Sequence, residues 1–107
     1  MNKRDFKEDV RQVVGQIVAL SHPVRIVLFG SAARGQTGPD SDLDFLVVIS
    51  KRQRTEEVTD RLNAGVRHRP MPCDFVVVTE SALKKLRNNP GLVYGEILAH
   101  GREVYAG

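Results

Sequence analysis

The chain predicts an α/β domain of the α+β kind, a mixed β-sheet of three to four strands with helices packed on it. Three observations lead there. Apolar, β-branched runs of strand length stand at 24–29, 45–49 and 73–79. Segments with apolar residues every third or fourth position precede the first run and separate the second from the third. The polar connection between the first two runs carries Gly30-Ser31 at one end and Asp42 and Asp44 at the other. If those groups share a site, the first two strands run antiparallel. Asp74, at the start of its own run, joins them only if the third strand is parallel to the second, and the helix between supplies the crossover that such a pair requires.

Size and composition set the frame. A chain of 107 residues forms one domain, 1–107, with an adequate core. A formal net charge of +3 favours anionic ligands without marking a strong nucleic-acid binder. The single cysteine excludes an internal disulfide. Met1-Asn2-Lys3-Arg4-Asp5 lacks the apolar centre of a signal peptide, and no apolar run approaches the ~20 residues needed to cross a bilayer. The expectation is a soluble, cytoplasmic protein without membrane attachment, its oligomeric state left open.

Taken in order, Phe6, Val10, Val13, Val14, Ile17 and Val18 form the apolar stripe of a first helix, with Lys7, Glu8, Arg11 and Gln16 opposite. It should stop near Ser21-His22-Pro23, because proline disfavours helical geometry in the residue before it. The first strand follows at 24–29. After the second strand, a charged stretch leads into a helix burying Val58, Leu62 and Val66. Pro70 and Pro72 make the next connection a loop. The third strand, 73–79, holds one carboxylate in an otherwise apolar run. Residues 81–87 read as a short helix, and Asn89-Pro90 opens another that buries Leu92, Val93, Ile97 and Leu98 and ends at Gly101. Residues 102–105 add a short edge strand.

The chemistry concentrates in the first loop. Asp42 and Asp44 are two apart, so the strand period puts both carboxylates on one face. At a separation of roughly 5 Å and an effective dielectric near 20, their repulsion is about 3 kcal/mol, which a cation would relieve. Magnesium, a hard ion that prefers oxygen ligands, suits them. Gly30 allows close backbone approach, Ser31 offers a hydroxyl, and Arg34 is a charge partner for a triphosphate or for the loop's aspartates.

Gly30-Ser31, then Arg34-Gly35, then Ser41-Asp42-x-Asp44 with a later strand aspartate resembles the DNA polymerase beta-like nucleotidyltransferase superfamily, and its minimal single-domain (MNT) members in particular. The resemblance implies transfer of a nucleoside monophosphate from a nucleoside triphosphate, usually ATP, to an acceptor hydroxyl with two Mg2+ ions. By position, Asp42 and Asp44 correspond to ligands of both metals, Asp74 to the third ligand that helps activate the acceptor, and Gly30 and Ser31 to the phosphate holders. It further implies pairing with a helical HEPN-type toxin whose tyrosine is adenylylated, as in toxin-antitoxin modules. A non-catalytic antitoxin-like binding subunit and transfer to a small-molecule hydroxyl, such as an aminoglycoside, are the alternatives.

Competing readings are blander. The aspartates could cap backbone amides, and Gly30, Ser31 and Gly35 could serve a turn. Gly30-x-x-x-x-Gly35-Gln36-Thr37 falls short of a P-loop because Gln36 stands where the lysine belongs. Alternation turns Cys73 away from Asp74, as a buried thiol. His22, His68 and His100 are too scattered for a zinc site. Lys84, Lys85 and Arg87 read as a solvated helix face, with a partner or RNA surface as the sharper alternative.

Overall fold

The computed structural model describes residues 6–30, 43–67, 72–87 and 100–107. In chain order these form α1 (Phe6–Ser21), β1 (Arg25–Phe29), β2 (Leu43–Ile49), α2 (Thr55–Gly65), β3 (Cys73–Thr79), α3 (Glu80–Arg87) and β4 (Arg102–Ala106). The helix expected to open at Asn89-Pro90 lies outside the described residues.

One four-stranded sheet in the order β3-β2-β1-β4 unites them. β1 pairs antiparallel with both β2 and β4, and β2 pairs parallel with β3. This is the mixed sheet that a shared site demanded. α2 provides the crossover from β2 to β3, as parallel neighbours require. The last strand does form, and it takes the open side of β1 with a register shift between Ile26 and Val27.

α1 ends as its sequence dictates. His22 adopts a left-handed φ of 46° and donates its backbone N–H to the Val18 carbonyl at 3.0 Å, and Pro23 prevents further helix. Ser21, fully buried, turns its hydroxyl back to the Ile17 carbonyl at 2.7 Å. α2 is one residue shorter than its apolar spacing suggests. Val66 is extended (φ −76°, ψ 125°) and caps the helix by donating its N–H to the Leu62 carbonyl, yet it still packs on the core that buries Val58 and Leu62.

Strand alternation sends side chains to two faces. On one, Ile26, Leu28, Leu43, Phe45, Val47 and Ile49 pack against Val10, Val13 and Ile17 of α1 and Val58 and Leu62 of α2. On the other, Val27, Leu46, Val48 and Val78 pack with Leu83 of α3. β2, central in the sheet, is buried at nearly every position, whereas β3 is half-exposed along most of its length. Cys73 accordingly lies on the α1–α2 face, as alternation requires, but is half-buried rather than sealed inside. The edge position of β3 is the physical reason.

Two contacts fix how the chain leaves α2 and joins β3. The Gln16 side chain donates to the Arg67 carbonyl at 2.9 Å and accepts the Arg67 backbone N–H at 2.6 Å. Farther on, Leu43 donates its N–H to the Pro72 carbonyl at 2.9 Å.

Candidate functional site

β2 reads Leu-Asp-Phe-Leu-Val-Val-Ile and β3 reads Cys-Asp-Phe-Val-Val-Val-Thr. The two strands align residue for residue, with Leu43 opposite Cys73, Asp44 opposite Asp74 and Phe45 opposite Phe75. On the α1–α2 face, the rings of Phe45 and Phe75 stack with centroids 6.2 Å apart and planes 20° from parallel. A one-residue slip would turn one aspartate into the core, so the aromatic pair and the apolar alternation together hold the register. Asp44 and Asp74 therefore stand side by side on the opposite face, the face that carries Leu46, Val48 and Val78.

That face is divided along the strands. α3 follows the C-terminal end of β3 and packs Leu83 there, while the carboxylates sit at the N-terminal ends of β2 and β3. Neighbouring strands lie about 4.8 Å apart, so two negative groups meet at close range. Asp44 is half-buried and Asp74 exposed. Water at Asp74 reduces their repulsion below the ~3 kcal/mol that Coulomb's law gives at an effective dielectric near 20.

Gly30 stands directly against this pair. Phe29, the last residue of β1, is the register partner of Asp44, and Gly30 follows with a φ of 78°. A Cβ built there would overlap Asp44 Oδ2 and lie 3.3 Å from Asp44 Cγ. The backbone conformation favours glycine, and any side chain there would force the Asp44 carboxylate to move. The sequence assigned Gly30 to phosphate approach, and it left unnoticed that the missing side chain makes room for Asp44. Only the backbone angle reveals it.

Of the residues singled out from sequence, the fold brings together Gly30, Asp44 and Asp74. Asp42, Ser31 and Arg34 lie outside the described residues. Among the described residues, no group of three or more His, Cys, Asp or Glu side chains could hold a metal ion. The Asp44–Asp74 pair is a two-residue carboxylate donor set, all oxygen and adjacent, of the chemistry that hard divalent cations prefer. A pocket of about 330 Å3 lined by Lys7, Val10, Arg11, Val14, Leu28, Arg102 and Val104 lies across the sheet on the α1 side, away from the carboxylates. No helix among the described residues is long and apolar enough to cross a membrane.

The mixed sheet and its two register-matched strand aspartates agree with the nucleotidyl-transfer class that the sequence resembles. The sequence profile of the nucleotidyltransferase domain matches residues 6–101, and the chain belongs to that family. A crystal structure from Sulfolobus solfataricus, of a protein designated a nucleotidyltransferase, is similar with a TM-score of 0.52 and 21% sequence identity, over 79% of this chain and 84% of that one. At that identity the likeness speaks for the fold. A search of curated proteins found no match.

Proposed function

We propose that the chain is a single catalytic domain that transfers AMP from ATP to a hydroxyl on a partner protein, a helical HEPN-type toxin, in an antitoxin role. What carries the reading is the alignment of Asp44 with Asp74 on adjacent parallel strands, within a chain of the nucleotidyltransferase family. In such a transfer the acceptor oxygen bonds to the α-phosphorus as the bond to the pyrophosphate oxygen breaks, and the hydroxyl proton is released to solvent by way of Asp74.

The roles are those the family resemblance implies, set on the geometry of the described residues. By that resemblance, Asp42, Asp44 and Asp74 would hold two Mg2+ ions, and of these Asp44 lies half-buried against Gly30. Bound there, magnesium supplies Lewis-acid polarisation of the phosphate oxygens and neutralises charge on the departing pyrophosphate. Asp74, the exposed member, belongs to the acceptor side, where its carboxylate accepts a hydrogen bond from the attacking hydroxyl and orients it. Gly30 keeps Asp44 close to the backbone, and Ser31 donates to phosphate. Arg34 supplies a cation for the triphosphate. An exposed acceptor carboxylate suits a protein hydroxyl, which arrives on a folded surface.

The test mixes ATP labelled at the α-phosphate with the chain and the product of the neighbouring reading frame, expected to be a HEPN-type protein. Label should move to the partner in the presence of Mg2+, and Asp44→Asn or Asp74→Asn should lower transfer by at least about 100-fold. Partner neutralisation that survives both substitutions without transfer would establish a binding subunit instead. Label appearing on an aminoglycoside but never on protein would overturn the choice of acceptor.

A further inference from the structure

We propose that the groove between the β2–α2 turn and the start of α3 is a second anion site, built for a phosphate group. It is a pocket of about 300 Å3 lined by Ser50, Lys51, Arg52, Glu80, Ser81 and Lys84. β2 rises about 3.3 Å per residue, which puts Ser50 roughly 20 Å along the strand from Asp44. The groove is thus at the other end of the sheet from the carboxylate pair, and the inference does not rest on the reaction proposed above.

Charge is the first argument. Two ammonium groups and a guanidinium share the pocket with two hydroxyls and one carboxylate. Among the described residues, none of Lys51, Arg52 and Lys84 forms an ion pair. Glu80 stands four residues before Lys84 on α3, the spacing at which helical carboxylates pair with lysines, and that pair is not made. The positive charge here is left for something other than the protein's own acids.

Preorganisation is the second. The Ser50 carbonyl accepts the Gln53 N–H at 3.1 Å, closing the turn, and Gln53 Nε2 donates to the Ser21 carbonyl at 2.9 Å. The backbone of Lys51 and Arg52 is therefore fixed before any ligand arrives. Across the groove, Thr79 Oγ1 accepts the Ala82 N–H at 3.2 Å and sets the first turn of α3, whose N-terminal end adds positive partial charge. The guanidinium fork of Arg52 suits paired phosphate oxygens, the lysines suit a charge near −2, and the hydroxyls of Ser50 and Ser81 add neutral donors. The same chemistry serves a small free phosphoanion or a backbone phosphate of single-stranded nucleic acid. In the second case exposed Lys85 extends the basic track along α3.

Isotope-labelled full chain, with EDTA present, is titrated with inorganic pyrophosphate and separately with a short oligouridylate while its backbone amide resonances are followed. Saturable shifts at Ser50, Lys51, Arg52 and Glu80 to Lys84 are expected. The triple variant Lys51→Gln, Arg52→Gln, Lys84→Gln should weaken them at least tenfold, and Glu80→Gln should strengthen them. Because these side chains are exposed, melting temperature and circular dichroism should stay unchanged. Saturation by pyrophosphate alone identifies a free phosphoanion. Tighter, salt-steep binding of the oligonucleotide identifies nucleic acid. If neither probe moves these amides, or the triple variant binds as well as the original, the site does not exist.

Discussion

Replacing Gly30 by alanine tests the geometry of the carboxylate pair most directly. The backbone there has a φ of 78°, which costs an L-residue about 1–2 kcal/mol. In addition, the new methyl would overlap Asp44 Oδ2, and moving a packed side chain aside costs about 1–3 kcal/mol. Gly30→Ala should therefore destabilise the fold by about 2–5 kcal/mol in the original background. With Asp44→Ala in place the carboxylate is gone, and only the backbone cost of about 1–2 kcal/mol should remain. Urea unfolding of the four proteins gives the coupling between the two positions, expected at about 1–3 kcal/mol, and the cycle subtracts whatever else Asp44→Ala removes. If Gly30→Ala costs the same in both backgrounds within about 0.5 kcal/mol, Gly30 is not making room for Asp44.

Two further outcomes follow from the sheet and α3. Phe45 is fully buried in the central strand and Phe75 half-buried at the edge, so Phe45→Ala should cost about 3–5 kcal/mol and Phe75→Ala clearly less; equal costs by urea unfolding would contradict the strand order. Thr79→Ala should cost about 0.5–2 kcal/mol by removing the acceptor for the Ala82 N–H, while Thr79→Ser retains it; hydrogen exchange should show the loss concentrated in α3.

Much of this architecture can be read from the chain because the governing signals are local. Apolar runs mark β1, β2 and β3, and the expected bounds of β3 agree with the observed Cys73–Thr79. The directions follow from requiring Gly30-Ser31 and the aspartates to share a site, with a helix long enough to make the parallel crossover, and the observed pairings agree. An edge strand at 102–105 is expected and observed as Arg102–Ala106, but its choice of β1 as neighbour is tertiary and has no sequence signature. Burial shows the limit more sharply. β2 and β3 share the pattern x-Asp-Phe-x-Val-Val-x, yet one is sealed in the sheet and the other half-open, which is why Cys73 is less enclosed than its apolar neighbours suggest. That repeated pattern was itself the available clue to the register that places Asp44 opposite Asp74. The closeness of Gly30 to Asp44 depends on a backbone angle that composition does not encode.

The moorings between the end of α2 and the start of β3 carry a wider consequence. Gln16 offers Arg67 both a donor and an acceptor, much as a neighbouring strand would, and Leu43 hooks the Pro72 carbonyl just ahead of the aspartates. With residues 67 and 72 tied to different partners, residues gained or lost between them cannot be absorbed by sliding β3 along β2. The alignment of the acidic pair is thus anchored on its own side of the sheet, independently of the chain that links the two moorings.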